Sequence, residues 1–266
     1  MSEVDSALLV FALLLIATGI GVGVRPLLPE EHKAHETVQL IQLVIGMLVT
    51  FAALVLGLMT ASAKSSFDTA SNDLRTYASD LIELDTTLRE YGADTSEARG
   101  LLRAYTASAI ASTWPGEAAP AGDYPRDTGA QDVSQRLENT RLGDMLTAVG
   151  RSLRQLRAHD PLQQRALDDA LQQYRRTVDA RWKLIEEAHS SISQPFFTTL
   201  TFWTCVIFLS FGLIAPRNAL ALVTVMLGAV SIASAIYVIV DLDTPFTGPI
   251  VISSAPMRDA LEHLRR

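Results

Sequence analysis

The chain has 266 residues, 48% hydrophobic and 19% charged, with 22 lysines and arginines against 29 acidic residues and a formal net charge of −7. That acidic balance, without a basic face, excludes nucleic acid as a partner, and a single cysteine, Cys205, excludes a disulfide framework. A mean hydropathy of +0.22 is high for a soluble domain with a charged middle.

Four stretches free of ionisable side chains, 7–24, 40–63, 196–214 and 219–240, approach or exceed the roughly 20 residues an α-helix needs to cross a hydrocarbon core. The first follows acidic Glu3 and Asp5, stays hydrophobic beyond Ala17, and so reads as a retained anchor rather than a signal peptide. Its Gly19, Gly21 and Gly23 superficially mimic a nucleotide fingerprint, but no strand precedes them and they sit in bilayer, so no phosphate site is expected. In the following loop, Glu31, His32, His35 and Glu36 read as a solvated turn helped by Pro26 and Pro29, with metal ligation as the alternative.

The second span carries a small and polar stripe at helical spacing, Gln42, Gly46, Thr50, Ala53, Gly57 and Thr60, leading to Lys64; the rest of that helix is bulky and apolar. Two readings stand: a face for close helix packing, or a pore wall whose uncharged polar groups border water without holding an ion too tightly. Beyond it, Leu74, Tyr77, Leu81, Leu84, Leu88 and Tyr91 form a heptad seam ending at Gly92, so the span is expected to run on as one long helix.

A second helix of the insert, capped by Asp94 or Ser96, should carry Leu101, Leu102, Tyr105 and Ile110 and stop near Trp114 and Pro115. Residues 115–132, rich in Gly, Pro, Ala and Asp, are expected to be mobile. A third helix presents Leu142, Leu146, Val149, Leu153 and Leu156 on one face. A fourth, opened by Asp160 and Pro161, carries Leu167, Leu171, Tyr174, Val178, Trp182 and Ile185. These stripes suit the core of an antiparallel bundle, or in part contacts between subunits.

The fourth span has its own stripe, Ala221, Thr224, Gly228, Ser231 and Ala235, which reads as packing, since two small-faced helices in one chain can close on each other. Asp241 and Asp243 emerge from it just before a helix-ending Pro245-Phe246-Thr247-Gly248-Pro249 run; they pair with Lys64, coordinate a cation, or stay solvated. A terminal helix opens at Ser253 or Ser254 with Pro256 in its first turn.

The fold class is therefore an all-α membrane protein, four transmembrane helices in two hairpins with a cytoplasmic helical bundle between them. Its parts are 1–63 (first hairpin), 64–194 (bundle), 195–240 (second hairpin) and 241–266 (tail). Lys64, Arg75, Arg181, Lys183 and Arg258 flank the spans on one side and only Arg25, Lys33 and Arg217 on the other, which puts the bundle and both termini in the cytoplasm of a bacterial inner membrane. Spans without ionisable groups argue against a coupled pump or voltage sensor. His159, His189 and His263 lack ligand-spaced partners, and no nucleophile, triad or carboxylate-pair signature is present, so neither an enzyme nor a cofactor is expected.

Gly57-Leu58-Met59-Thr60-Ala61-Ser62 with Phe67-Asp68, and Asp241-Leu242-Asp243-Thr244-Pro245-Phe246-Thr247-Gly248 followed by Ile252-Ser253-Ser254-Ala255-Pro256, resemble a bacterial family of bestrophin-like membrane domains. The similarity covers nearly the full chain; Asn72, Asp73 and Tyr77-Ala78-Ser79 depart from the Arg-rich and Glu-Ala-Asn positions of many relatives. The resemblance implies a plan like that of the bestrophin anion channels, which are pentamers with the second span around the pore. Phe51 is then a counterpart of their constrictions, and Asp241 with Asp243 of their calcium-binding run. The expected function is a homo-oligomeric passive anion channel lined by Gln42, Gly46, Thr50, Ala53, Gly57 and Thr60, with Phe51 as constriction candidate and Lys64 drawing anions to the inner mouth. The alternative is a non-conducting membrane scaffold or sensor that binds a cytoplasmic protein partner through its helical seams.

Overall fold

The computed structural model describes residues 3–27, 29, 35–125, 140–188, 194–216 and 218–266. It divides into two compact units, one formed by Met1–Ser66 with Ser191–Asp243 and the other by Phe67–Ser190 with Thr244–Arg266. Every extended element among the described residues is helical: α1 (Glu3–Val24), α2 (His35–Tyr91), α3 (Ser96–Thr113), α4 (Thr140–Gln155), α5 (Pro161–Glu187), α6 (Gln194–Ile214), α7 (Ala219–Leu242) and α8 (Ala255–Arg265). The fold is all-α and multi-span: α1, α2, α6 and α7 are long and apolar enough to cross a membrane.

In the first unit α1 packs against both α6 and α7. The α1–α6 crossing is made by glycines: a Cβ on Gly21 would lie 2.2 Å from the Leu209 carbonyl oxygen, and one on Gly212 2.2 Å from that of Thr18. The core here is thin, centred on Val10, Leu14, Ile45, Ala52, Leu200, Phe208, Ala229 and Ile236, while Leu8, Leu43, Leu54, Phe202 and Leu222 point outward. Outward leucines are what a helix surface against lipid chains requires, since lipid is as apolar as the side chain.

The second unit is a water-type bundle. α2 continues without a break from the apolar span, and the Leu74 to Tyr91 seam, each member no more than 3% exposed, packs into the bundle's own core with Leu102, Tyr105, Ile110, Leu146, Val149 and Leu153. The seam is thus filled from within the chain and is closed to the partner helix that the scaffold reading placed there. Gly92, at φ 120°, takes the backbone conformation that ends α2. Neither Asp94 nor Ser96 caps α3: the preceding residue is Thr95, whose hydroxyl turns back to donate to the carbonyls of Leu88 (2.6 Å) and Gly92 (2.8 Å).

Asp160 caps α5 as the sequence suggests, its carboxylate accepting from the amides of Leu162 and Gln163, both at 2.8 Å, with Pro161 in the first turn. Asp160→Ala should cost about 1 kcal/mol, read as a lowered thermal midpoint of the purified protein. The inward stripe of α5 differs from expectation at one position. Trp182 is 58% exposed and Arg181 takes the interior, because the true seam runs Leu167, Ala170, Tyr174, Thr177, Arg181 and Leu184.

Residues 115–125 also correct the reading of a mobile loop. Tyr124 is buried and its hydroxyl donates to the Pro120 carbonyl (2.7 Å), Ser108 donates to that of Pro125 (2.9 Å), and Glu117 pairs with Arg258 at 2.8 Å. Residues 126–132 lie outside the described residues. The tail that opens at Thr244 docks on this same segment. The Trp114 indole N–H donates to the Ile252 carbonyl (2.8 Å), its ring meets Phe246 edge-on, and the Ser254 hydroxyl bonds Glu117 at 2.5 Å.

Candidate functional site

The transmembrane part of α2 has a packed face, an exposed small and polar stripe, and between them on the far side an exposed apolar face with Leu43, Met47, Leu54 and Leu58. Ile45 and Ala52 are buried against the protomer's own helices, with Ile41, Leu48, Leu56 and Met59 beside them, and Ala63 on the same side is buried too. At 100° per residue the stripe Gln42, Gly46, Thr50, Ala53, Gly57, Thr60 and Lys64 is centred roughly 115° around the helix from that packed face, and every member is exposed. A Cβ built on Gly46 or Gly57 meets nothing within 4 Å. Close packing of this stripe against the chain's own α7, the reading in which two small faces close on each other, is not what the protomer does. Gly228 of α7 instead faces Phe208, whose ring would lie 3.6 Å from a methyl group placed on that glycine.

The polar chemistry of the stripe is uncharged and mostly self-satisfied. Thr50 donates its hydroxyl proton to the Gly46 carbonyl (2.9 Å) and Thr60 to that of Leu56 (2.8 Å). Such back-bonded hydroxyls offer lone pairs outward and leave no donor fixed on a passing anion, so the surface is suited to wetting and not to stripping an ion of its water. At one end, Gln42 and Gly46 border a groove of about 590 Å³ shared with Asn218, Ala221 and Thr224 of the α6–α7 turn and α7. Asn218 there caps α7, accepting from the Ala221 amide at 2.8 Å.

Phe51 lies off the stripe, on the far flank of the packed face by helical geometry. It is half exposed, and its ring leans on Trp203 of α6 with centroids 6.4 Å apart. Lys64, at the end of the stripe, is exposed.

Asp241 and Asp243 close α7 and are 0% and 4% exposed, so the solvated reading of these carboxylates is overturned. At the helix end the Asp243 amide still donates to the Ile239 carbonyl (3.2 Å), and Thr244 to Ile252 forms a turn held by the Ile252 amide on the Pro245 carbonyl (2.9 Å).

Among the described residues no group of three or more His, Cys, Asp or Glu is arranged to hold a metal ion. Glu31, His32, Lys33, His189 and Arg217 lie outside the described residues, so the loop candidate and part of the charge asymmetry have no structural counterpart here.

Three polar clusters inside the bundle were not singled out from sequence. Asp85, 2% exposed, is gripped by Arg89 (2.6 Å) and Arg99 (2.8 Å), and Arg89 reaches on to the His263 carbonyl of α8 (2.6 Å). Tyr77 and Tyr105 share a hydroxyl contact beside buried Arg181, lining with Trp114 and Phe246 a cavity of about 30 Å³, room for roughly one water. Burial pushes both phenols above their ordinary value, against the opposing pull of Arg181, so they stay protonated donors. The third joins Asp73, Lys183 and Glu187. Tyr77 and Tyr105 carried a signal as members of apolar stripes, and Arg181 carried one in the three- and four-residue rhythm of α5 continued through position 181.

No curated protein matches the chain significantly in sequence. Its structure is similar to variants of a bacterial bestrophin homolog from Klebsiella pneumoniae. One with a tryptophan replaced by alanine aligns at 18% identity over 99% of this chain and 97% of that one, TM-score 0.64. Another with an isoleucine replaced by threonine aligns at 18% over 100% of both, TM-score 0.61, and a third with an aspartate replaced by alanine at 17% over 100% and 98%, TM-score 0.62. At such identities the likeness establishes the fold. The Bestrophin-like domain profile matches residues 11–257, nearly the whole chain, which therefore belongs to the bestrophin-like family.

Proposed function

We propose that the protein is a homo-oligomeric, passive anion channel of a bacterial inner membrane, with α2 of each copy around a symmetry axis. The bundle and both termini then face the cytoplasm, as the lysine and arginine bias favours. The observation that carries this reading is the division of α2 into one face packed within the protomer and, a third of a turn away, an open stripe of Gln42, Gly46, Thr50, Ala53, Gly57 and Thr60. Copies arranged by rotation bring identical stripes together and enclose water that one protomer does not enclose alone. Lys64 at the end of the stripe raises the local anion concentration at the inner mouth. Phe51, the constriction candidate, lies beside Trp203 on the far flank of the packed face, so under this reading it braces α2 against α6 and does not line the path.

The purified protein in liposomes is expected to pass chloride. Lys64→Glu is expected to lower the anion-over-cation permeability ratio several-fold, since each charge at the mouth changes sign. Vesicles that stay tight to chloride across pH and calcium conditions would remove the channel reading and leave the membrane scaffold, whose partner surface must lie outside the buried Leu74 to Tyr91 seam.

A further inference from the structure

Where α2 and the end of α5 meet in the bundle, two carboxyl groups, Asp73 from α2 and Glu187, the last residue of α5, gather around one ammonium, each with a buried oxygen that no N–H or hydroxyl among the described residues satisfies. One cation serves the pair, unequally. Lys183 Nζ lies 2.9 and 2.8 Å from the two Asp73 oxygens but 3.9 Å from Glu187 Oε1. Among the described residues, Glu187 Oε2 is buried with no N–H or hydroxyl donor. Two ionised carboxylates at this distance repel, and a single ammonium committed to one of them does not compensate both.

We propose that Asp73 and Glu187 share one proton and that its loss in more alkaline solution frees the last turn of α5, beyond the Lys183–Asp73 bridge, from α2, making this contact a pH-operated latch. Among the described residues, the other charged groups acting on Glu187 are Lys183, which favours ionisation, and Glu186, its neighbour on α5, which opposes it. Burial first, then the bond to Asp73, pushes the Glu187 carboxyl up to about 7. Burial works against Asp73 too, but the bonds from Glu187 and Lys183 outweigh it and hold that carboxyl below its ordinary value. The two opposite directions describe one proton held by the pair, on the Glu187 side.

The sign follows from linkage. Glu187 has a folded value above its free value of 4.5, so its contribution is complete below 4.5, declines as pH rises toward about 7, and is level beyond. The Asp73 contribution has the reverse dependence and is lost only in acid, below its free value of 3.8, outside that window. Opening stays local, because within the preceding turn Lys183 remains bridged to Asp73 and Leu184 and Ile185 stay buried, and farther along the same helices Gln173 donates to Glu83 (3.1 Å). Glu187 lies seven residues before the start of α6, so the latch acts on the helix that leads into the third span. The proposal concerns the bundle alone and stands whether or not the chain conducts.

Hydrogen exchange of the full-length protein in lipid nanodiscs tests it, with amide rates corrected for intrinsic pH dependence. Protection of residues 186–188, beyond the Lys183–Asp73 bridge, should fall about tenfold between about pH 5 and about pH 8 in the wild type. Glu187→Gln, whose amide donates to Asp73 without a titratable proton, should hold protection level over that range. Lys183→Met should move the wild-type step to higher pH, because the ammonium that favours ionisation is gone. If Glu187→Gln does not fold, Asp73→Asn replaces it: its amide donates to ionised Glu187 and removes the step. A flat wild-type profile, or the same fall in whichever carboxyl variant folds, overturns the latch.

Discussion

A leucine at Gly212 is expected to stop α1 and α6 from reaching their crossing distance, and with it to destroy the folded membrane unit. Even a methyl group there would meet the Thr18 carbonyl oxygen at 2.2 Å and the Gly21 Cα at 3.0 Å, and the reciprocal methyl on Gly21 would meet the Leu209 carbonyl oxygen at 2.2 Å. These neighbours are backbone atoms, which have no rotamer to escape into. In lipid no hydrophobic gain offsets the separation, since association there rests on close packing. Overpacking of this kind costs about 3 kcal/mol or more, a large share of the 5–15 kcal/mol or so that holds a typical domain. Size-exclusion profiles after graded heating in mild detergent should show early loss of the folded peak for Gly212→Leu and Gly21→Leu. Gly19→Leu and Gly23→Leu, where a Cβ meets nothing within 4 Å, are the controls and should shift little. Equal behaviour of all four would mean the helices do not cross at these glycines.

The same glycines illustrate what the sequence discloses and what it withholds. Hydropathy and helical rhythm depend on residue order along one chain segment, so the four spans, the unbroken α2, the Asp160–Pro161 start and the stop at Gly92 could all be read in advance. Gly21 and Gly19 look alike in sequence. Only the position of Gly212, nearly two hundred residues away, makes one a contact and the other an open surface. The same holds for Glu117, unremarkable in a loop of turn composition until Ser254 and Arg258 arrive to bind it. Arg181 and Trp182 exchanged places for a related reason: adjacent positions on a helix differ by 100°, and hydrophobicity alone favoured the tryptophan as the inward residue. Its wide face lies outward, and the arginine is held inside by phenols that sequence spacing cannot bring together. The exposed stripe of α2 was visible as a pattern, whereas its freedom from the chain's own α7 required both helices to be placed.

That freedom gives the channel reading its most demanding consequence. Under it, Thr50→Glu is expected to cut chloride flux through reconstituted vesicles about tenfold or more, because rotational symmetry repeats the new carboxylate in every copy. One unit charge about 6 Å from a hydrated anion opposes it by about 0.7 kcal/mol in water, so a ring of about five sums to roughly 3 kcal/mol. Screening over a Debye length of about 8 Å at physiological salt removes a part of this, leaving on the order of 2 kcal/mol, somewhat more than tenfold in rate. Thr50→Ser, which keeps the hydroxyl back-bonded to Gly46, should conduct as the wild type does. The flux assay is paired with a potassium measurement, since a wet carboxylate ring favours cations and should raise their share as chloride falls. If Thr50 instead meets lipid or a dry helix interface, the buried glutamate impairs insertion or assembly and the protein is lost from the membrane fraction. A variant that inserts and assembles normally yet leaves chloride flux unchanged would place the conduction path away from this face of α2.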